Sequence, residues 1–402
     1  MKKNITFPNL LQKIVSEEEL AIIQTAIGYK DTARKLDVLT LIKYLICASM
    51  NEFKSYRHCA DVGEQYGLPQ VNHSTLSKKA SHLDYHVMKK LFDLVVSKCN
   101  RMTRRAMKLP NGLLIVDSTT ITVGKTRLPW AVYHGERSGI KLHVSYTPKT
   151  DMPLQVVETI GRLHDGPVGE QLVDSRFVLV EDRAYFKITR IDQFVSEHQE
   201  FVIRMKENIE IVRPHALKRI EQLESPVTRD ITCQLGTSQS RSEKRHRVVF
   251  FKEDDGHEMQ VGNNLMNVAP EVIADMYKAR WKIETFFRWI KQNLNVPVLF
   301  GTTENAVFNQ LFAALITYVL LKWLYTKTSE RQVFKTVSFV TFQRQLVGNN
   351  SPIHRQSDTE HFFHHLPHLP RHTSAPSPPL PPPPSHTLPR PPTPPHLLTP
   401  PP

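Results

Sequence analysis

The chain has 402 residues, with 52 Lys and Arg against 39 Asp and Glu, for a formal charge of +13. That balance suits a polyanionic partner, because each neutralised phosphate releases a condensed counterion. Nucleic acid is the leading candidate, an anionic membrane surface is second, and a merely basic soluble chain stays open. Cys47, Cys59, Cys99 and Cys233 are scattered without a CxxC pair, which argues against a zinc site or a disulfide framework and fits a reducing cytoplasm. The basic start, Met1-Lys2-Lys3, leads to Asn4 and Pro8 rather than to an apolar signal core.

Residues 1–109 read as helical. Leu39, Leu41, Ile42, Leu45 and Ile46 recur at near-helical spacing, as do Val87, Leu91, Leu94 and Val95. Between them a first helix over 55–66, a Gly67 terminus, a Leu68-Pro69 break and a second helix from Ser74 resemble a helix-turn-helix. Thr75, Ser77, Lys78 and Lys79 suit a groove-facing helix. An ordinary helical hairpin with a solvated basic face fits the same residues.

From Gly112 the period changes to that of strands. Leu113 to Val116 is an apolar run that ends at Asp117. Segments 141–146, 154–160, 177–180 and 201–205 follow with strand composition, and a short helix fits 167–174. Three neighbouring strands, a crossover and further strands give the order of an RNase-H-like α/β domain, although other mixed sheets begin the same way. Residues 207–269 read as an all-β insertion. Its Arg241, Lys244, Arg245 and Arg247 are either a DNA contact or a solvated face. Pro270 opens a helix expected to run to about Asn295, followed by another over 305–325. The apolar stretch Leu311 to Leu321 is short of the roughly 20 residues a membrane span needs, so a buried helix and no membrane are expected. The chain thus divides into 1–109, 110–206, 207–269, 270–348 and 349–402, the second and fourth forming one core. The last part holds 18 of the 29 prolines and 8 of the 19 histidines, and is expected to be a disordered tail.

The chemistry concentrates on Tyr277, Arg280, Glu284 and Lys291. At roughly 100° per residue these four fall within about 60° of one another on a helix. A carboxylate between two cations on one ridge suits a metal-and-phosphate site, although a surface helix with spaced charges has the same pattern. Asp117 and Asp182 each follow an apolar strand, a place where a plain turn residue is also common. Glu181 competes with Asp182, but successive strand residues face opposite ways, so only one of them can join Asp117. Three such carboxylates can hold two Mg²⁺ ions, which activate the attacking oxygen and stabilise the leaving one during phosphodiester cleavage.

With these residues the chain resembles transposases of the insertion-sequence-four family. Tyr277, Arg280, Glu284 and Lys291 match that family's Tyr-two-Arg-three-Glu-six-Lys signature without a gap. Asp117-Ser-Thr-Thr matches its first aspartate motif, and Asp182-Arg-Ala-Tyr-Phe its second, with Ala184 where glycine is usual. Phe201 to Asn208 is similar to the strand that follows, and the β insertion is a family trait. The resemblance implies an RNase-H-like catalytic core, catalysis and metal binding by Asp117, Asp182 and Glu284, and phosphate binding by Tyr277, Arg280 and Lys291. It implies two Mg²⁺ ions, with Mn²⁺ as a substitute. The implied partners are the terminal inverted repeats of a mobile element, target DNA and a second copy of the chain in the DNA complex. It also implies a cytoplasmic, DNA-associated bacterial protein. A nuclease without strand transfer and an inactive DNA-binding relic are the alternatives. Family members continue with dimerising helices where this chain has its Pro/His tail, which puts the dimer in question. Deleting 352–402 is expected to leave the melting temperature unchanged in a thermal scan, since a polar, proline-rich segment has little to pack.

Overall fold

The computed structural model describes residues 7–33, 35–107, 112–217, 225–294, 296, 298–329 and 337–347. The tail expected over 349–402 lies outside them. The helical first part comprises α1 (Phe7–Ile14), α2 (Glu17–Ile27), α3 (Val38–Met50), α4 (Tyr56–Val62), α5 (His73–His82) and α6 (Tyr85–Met107). Local signals set the boundaries. Ser16 and Glu19 form a reciprocal capping box on α2, and Asp37 caps α3 through the Thr40 N–H. After α4 a 3₁₀ turn ends at Gly67, whose φ of 74° suits glycine and sets up the break before α5.

The strands are β1 (Leu113–Gly124), β2 (Val132–His134), β3 (Arg137–Thr147), β4 (Met152–Ile160), β5 (Val178–Glu181), β6 (Phe201–Arg204), β7 (Ile211–Ala216), β8 (Val227–Leu235), β9 (His246–Lys252) and β10 (Glu258–Asn263). The short helix α7 (Asp165–Gly169) precedes β5, and α8 (Ile188–Ser196) joins β5 to β6. Antiparallel β4, β3 and β1 lie side by side, then β5 pairs parallel to β1, and β6 parallel to β5. Beyond β6 the order continues β10, β9, β8, β7. The β-rich segment is an insertion in sequence, yet it extends the same sheet. Arg247, expected on a basic surface there, is fully buried. It forms an ion pair with Asp230, itself only 2% exposed, and donates to the Leu265 and Val268 carbonyls. Arg245 is tied to the Arg213 and Thr232 carbonyls, while Arg241 and Lys244 stay exposed.

Two further corrections concern the site. β1 does not stop at Asp117. Thr119 to Val123 carry β-branched side chains that continue the ladder with β3, so Asp117 sits mid-strand. The helix expected over 270–295 is two, α9 (Pro270–Lys278) and α10 (Trp281–Asn293). At the junction Arg280, Lys282 and Ile283 bond to carbonyls three residues back, which tightens the turn.

The helices α11 (Glu304–Ser329) and α12 (Phe339–Val347) follow. Residues 304–328 form a helix long and apolar enough to cross a bilayer, longer than the stretch singled out in the sequence, but 94% of its apolar window is buried inside the protein. It packs against α3, α5, α6 and β4. The N-terminal helices therefore share a core with the C-terminal ones. Buried Asn309 of α11 donates to the Ala80 and Leu83 carbonyls, closing the end of α5. Lys89 of α6 pairs with Glu158 of β4 at 2.8 Å. Asn309→Leu keeps the branched shape but strands two buried acceptors. It is expected to destabilise the protein by about 2 kcal/mol, read as a lower urea midpoint at constant slope.

Candidate active site

The β1–β5 pairing is parallel, with Val116 opposite Glu181. Asp117 and Asp182 are the next residues on each chain, so their side chains leave the same face of the sheet. Glu181 leaves the other face. It is fully buried in a two-point ion pair with Arg190 of α8. Asp182 is therefore the partner of Asp117.

The α9–α10 junction crosses the face that carries both aspartates. Arg280 Nη1 lies 3.1 Å from Asp117 Oδ2, and Nη2 lies 2.7 Å from Glu284 Oε1. One guanidinium thus bridges a strand carboxylate and a helix carboxylate. The Tyr277 hydroxyl donates to Asp182 Oδ1 at 3.3 Å, and Arg204 of β6 approaches the same oxygen at 4.0 Å. Lys291 donates to the Thr120 carbonyl at 3.1 Å, three residues along β1 from Asp117. All six residues singled out in the sequence are brought to this face. Arg204 was not among them, although its strand follows the second aspartate motif.

The electrostatics follow from burial. Desolvation pushes the Asp117 carboxyl up to about 6; the Ser118 N–H and Arg280 oppose this, while Asp182 and Glu284 add to it. Burial works against the charge on Arg280, but Tyr277, Asp117 and Glu284 more than offset it and hold it protonated. Burial also pushes Tyr277 up to about 12, so its hydroxyl keeps its proton. Burial lowers the Lys291 ammonium from its ordinary value.

The donor set fits a hard divalent cation. It consists of carboxylate oxygens, and their mutual repulsion is what a bound cation relieves. Among the described residues no three His, Cys, Asp or Glu side chains are gathered closely enough to hold an ion. The reason is visible, since Arg280 stands between Asp117 and Glu284.

Residues 108–320 match the transposase DDE domain family. A probable transposase for insertion sequence element IS5377 of Geobacillus stearothermophilus is 56% identical over 353 residues, covering 88% of this chain and 93% of that one. A putative transposase for insertion sequence element IS4SA of Synechocystis is 27% identical over 270 residues, covering 63% and 72%. A cryo-EM structure of a piggyBac transposase synaptic complex with hairpin DNA aligns over 92% of this chain and 84% of that one, at 14% identity and a TM-score of 0.46. The chain belongs to the DDE transposase family. It is a DNA-cleaving transposase of an insertion sequence, and its chemistry depends on divalent metal.

Asp117 yields a pH prediction. A carboxyl raised on folding binds its proton more tightly in the folded state, so stability falls as pH rises from about 4 through about 6. In metal-free protein Asp117→Asn removes that loss. It is expected to melt above wild type at pH 7 and to flatten the pH dependence of melting between 4 and 6. Identical profiles for the two proteins would contradict the assignment.

Proposed function

We propose that Asp117, Asp182 and Glu284 hold two Mg²⁺ ions, replaceable by Mn²⁺, for cleavage and joining at the ends of a mobile element. The observation that carries this reading is one guanidinium shared by Asp117 and Glu284, with Asp182 placed on the same face by the β1–β5 register. The strand order β4-β3-β1-β5-β6, with the last two parallel to β1, supports an RNase-H-like core. The ions supply charge that activates the attacking oxygen and stabilises the leaving one.

The side chains divide the remaining work. Arg280 pairs with both Asp117 and Glu284 in the metal-free protein, so it would have to leave them for the carboxylates to hold the ions. The freed guanidinium then binds a DNA phosphate in a bidentate pair. Tyr277 keeps its proton and donates to Asp182 or to a phosphate oxygen. Lys291 lies about 16 Å along the helix axis from Arg280, a reach that spans successive phosphates. Water attacks the phosphodiester at the element's end and leaves a free 3′-hydroxyl. That hydroxyl then attacks a phosphodiester of target DNA, forming a new bond to the target 5′-phosphate as the target P–O3′ bond breaks and its 3′-oxygen leaves as a hydroxyl.

In the same reading the helical first part binds the terminal inverted repeats. On α5, Ser74, Thr75 and Lys78 are exposed and Ser77 is half-buried. Lys79, expected in the groove-facing set, instead turns inward to Asp31, and its side chain is only 9% exposed. Two copies of the chain act together on a pair of ends, in the cytoplasm.

Salt titrations and Mg²⁺ cleavage assays with end-containing DNA separate the roles. Glu284→Gln is expected to abolish cleavage and leave the salt dependence of binding unchanged. Lys291→Ala is expected to weaken binding and reduce the slope of log K against log salt by about one. Cleavage retained by Glu284→Gln would move the metal role to another carboxylate. Wild-type binding by Lys291→Ala would remove it from the phosphate contacts.

A further inference from the structure

Behind the catalytic face, on the side that Ser118 and Glu181 occupy, lies a second polar cluster. Its centre is Asp165, the first residue of α7. Asp165 Oδ1 accepts the Ser118 hydroxyl at 2.9 Å and the Lys141 ammonium at 3.0 Å, and the Nδ1 of His143 faces it at 3.5 Å. His143 is fully buried, and its Nε2 is 3.0 Å from the Thr159 hydroxyl. Burial pushes its imidazole down to about 4, so the ring is neutral, and the salt bridge beside it joins Lys141 to Asp165.

Ser118 links this cluster to the catalytic face. Its hydroxyl goes backward to Asp165, and its own N–H goes forward to Asp117 Oδ1 at 2.8 Å. A serine on the inner strand β1, paired with His143 of β3, thus has one hydrogen bond on each side of the sheet. Asp182 has a similar support, since Glu181, the residue before it, is locked by Arg190, which also reaches Glu170 at 2.7 Å. Each catalytic aspartate therefore has a charged anchor on the far face, one peptide away.

We propose that Asp165, acting through Ser118, is a positioning residue that holds Asp117 in its metal-binding pose. This rests on the metal role given to Asp117 above. A carboxylate that must meet a divalent ion at about 2.0–2.1 Å tolerates little drift, and outer partners of metal ligands commonly set affinity. Asp165 meets Ser118 on the face opposite the Asp117 carboxylate, so its loss is expected to act on metal affinity rather than on end binding.

The test is Mn²⁺ binding to the full chain in the absence of DNA, followed by electron paramagnetic resonance of the free ion. Asp165→Asn and Ser118→Ala are each expected to raise the half-saturating Mn²⁺ concentration about tenfold, the low end for outer partners. The double variant is expected to match the singles, because both interrupt one path. Ser118→Thr keeps the hydroxyl and a β-branched side chain, and is expected to bind Mn²⁺ like wild type. Metal-free binding to end DNA is expected to be unchanged in all four. Unchanged Mn²⁺ binding by Asp165→Asn would overturn the proposal. So would a lowered affinity that appears equally in Ser118→Thr, or that comes with loss of end binding and a lower melting temperature, as a merely structural tie would give. Asp117→Asn serves as the control. If wild type has no saturable Mn²⁺ site that this control removes, the metal reading itself fails.

Discussion

Two parallel strands set the position of everything else in the site. β1 and β5 pair through Val116 and Glu181, one residue short of Asp117 and Asp182. A parallel pair places equivalent residues side by side, so the aspartates cannot avoid each other. Their repulsion is therefore built into the backbone, in a place where desolvation already opposes charge. Flanking strands on both sides keep the pair in the interior of the sheet, where it cannot splay to relieve the repulsion. Relief comes from a cation delivered by another element.

Arg280 is that cation, and it stands at the junction of α9 and α10. It keeps the i,i+4 spacing to Glu284 of α10, while its other guanidinium nitrogen reaches Asp117 of β1 across the tightened turn. Buried ion pairs of this kind contribute little net stability, because desolvation offsets the attraction. Their effect is positional, and here it holds Asp117 and Glu284 to one guanidinium on the face that Asp182 shares.

How much of this was legible in the sequence depended on how local each determinant is. The Tyr277–Lys291 spacing, the two aspartate motifs and the strand composition are local, and the structure brings the six candidate residues to one face. Asp117 was placed at a strand end because apolarity stops there, yet threonines carry β1 onward through pairing with β3. The helix junction was invisible because no proline or glycine marks it. It is held by Arg280's long-range partners. Lys79 and Arg247 read as surface cations for the same reason, as nothing nearby in sequence announces Asp31 or Asp230. Asp165 gave no signal at all, since it meets Ser118 only after β1, β3 and α7 have assembled.

The N-terminal helices are packed onto the sheet that carries the site. α11 is covered by α3, α5 and α6 and also touches β4, and the charged tie from Lys89 to Glu158 runs from α6 to the sheet. All the described residues fall in one compact unit. A helix that reads DNA from such a platform stands at a fixed offset from the cleavage centre. The distance between the bases recognised and the bond cut is then set by the shared core around α11, not by the length of a flexible tether. A linker would allow many registers of cleavage for one bound sequence, each with a similar effective concentration. A rigid body allows one, so on the proposed reading of α5 the apolar contacts that stabilise the fold would also fix where an end is cut.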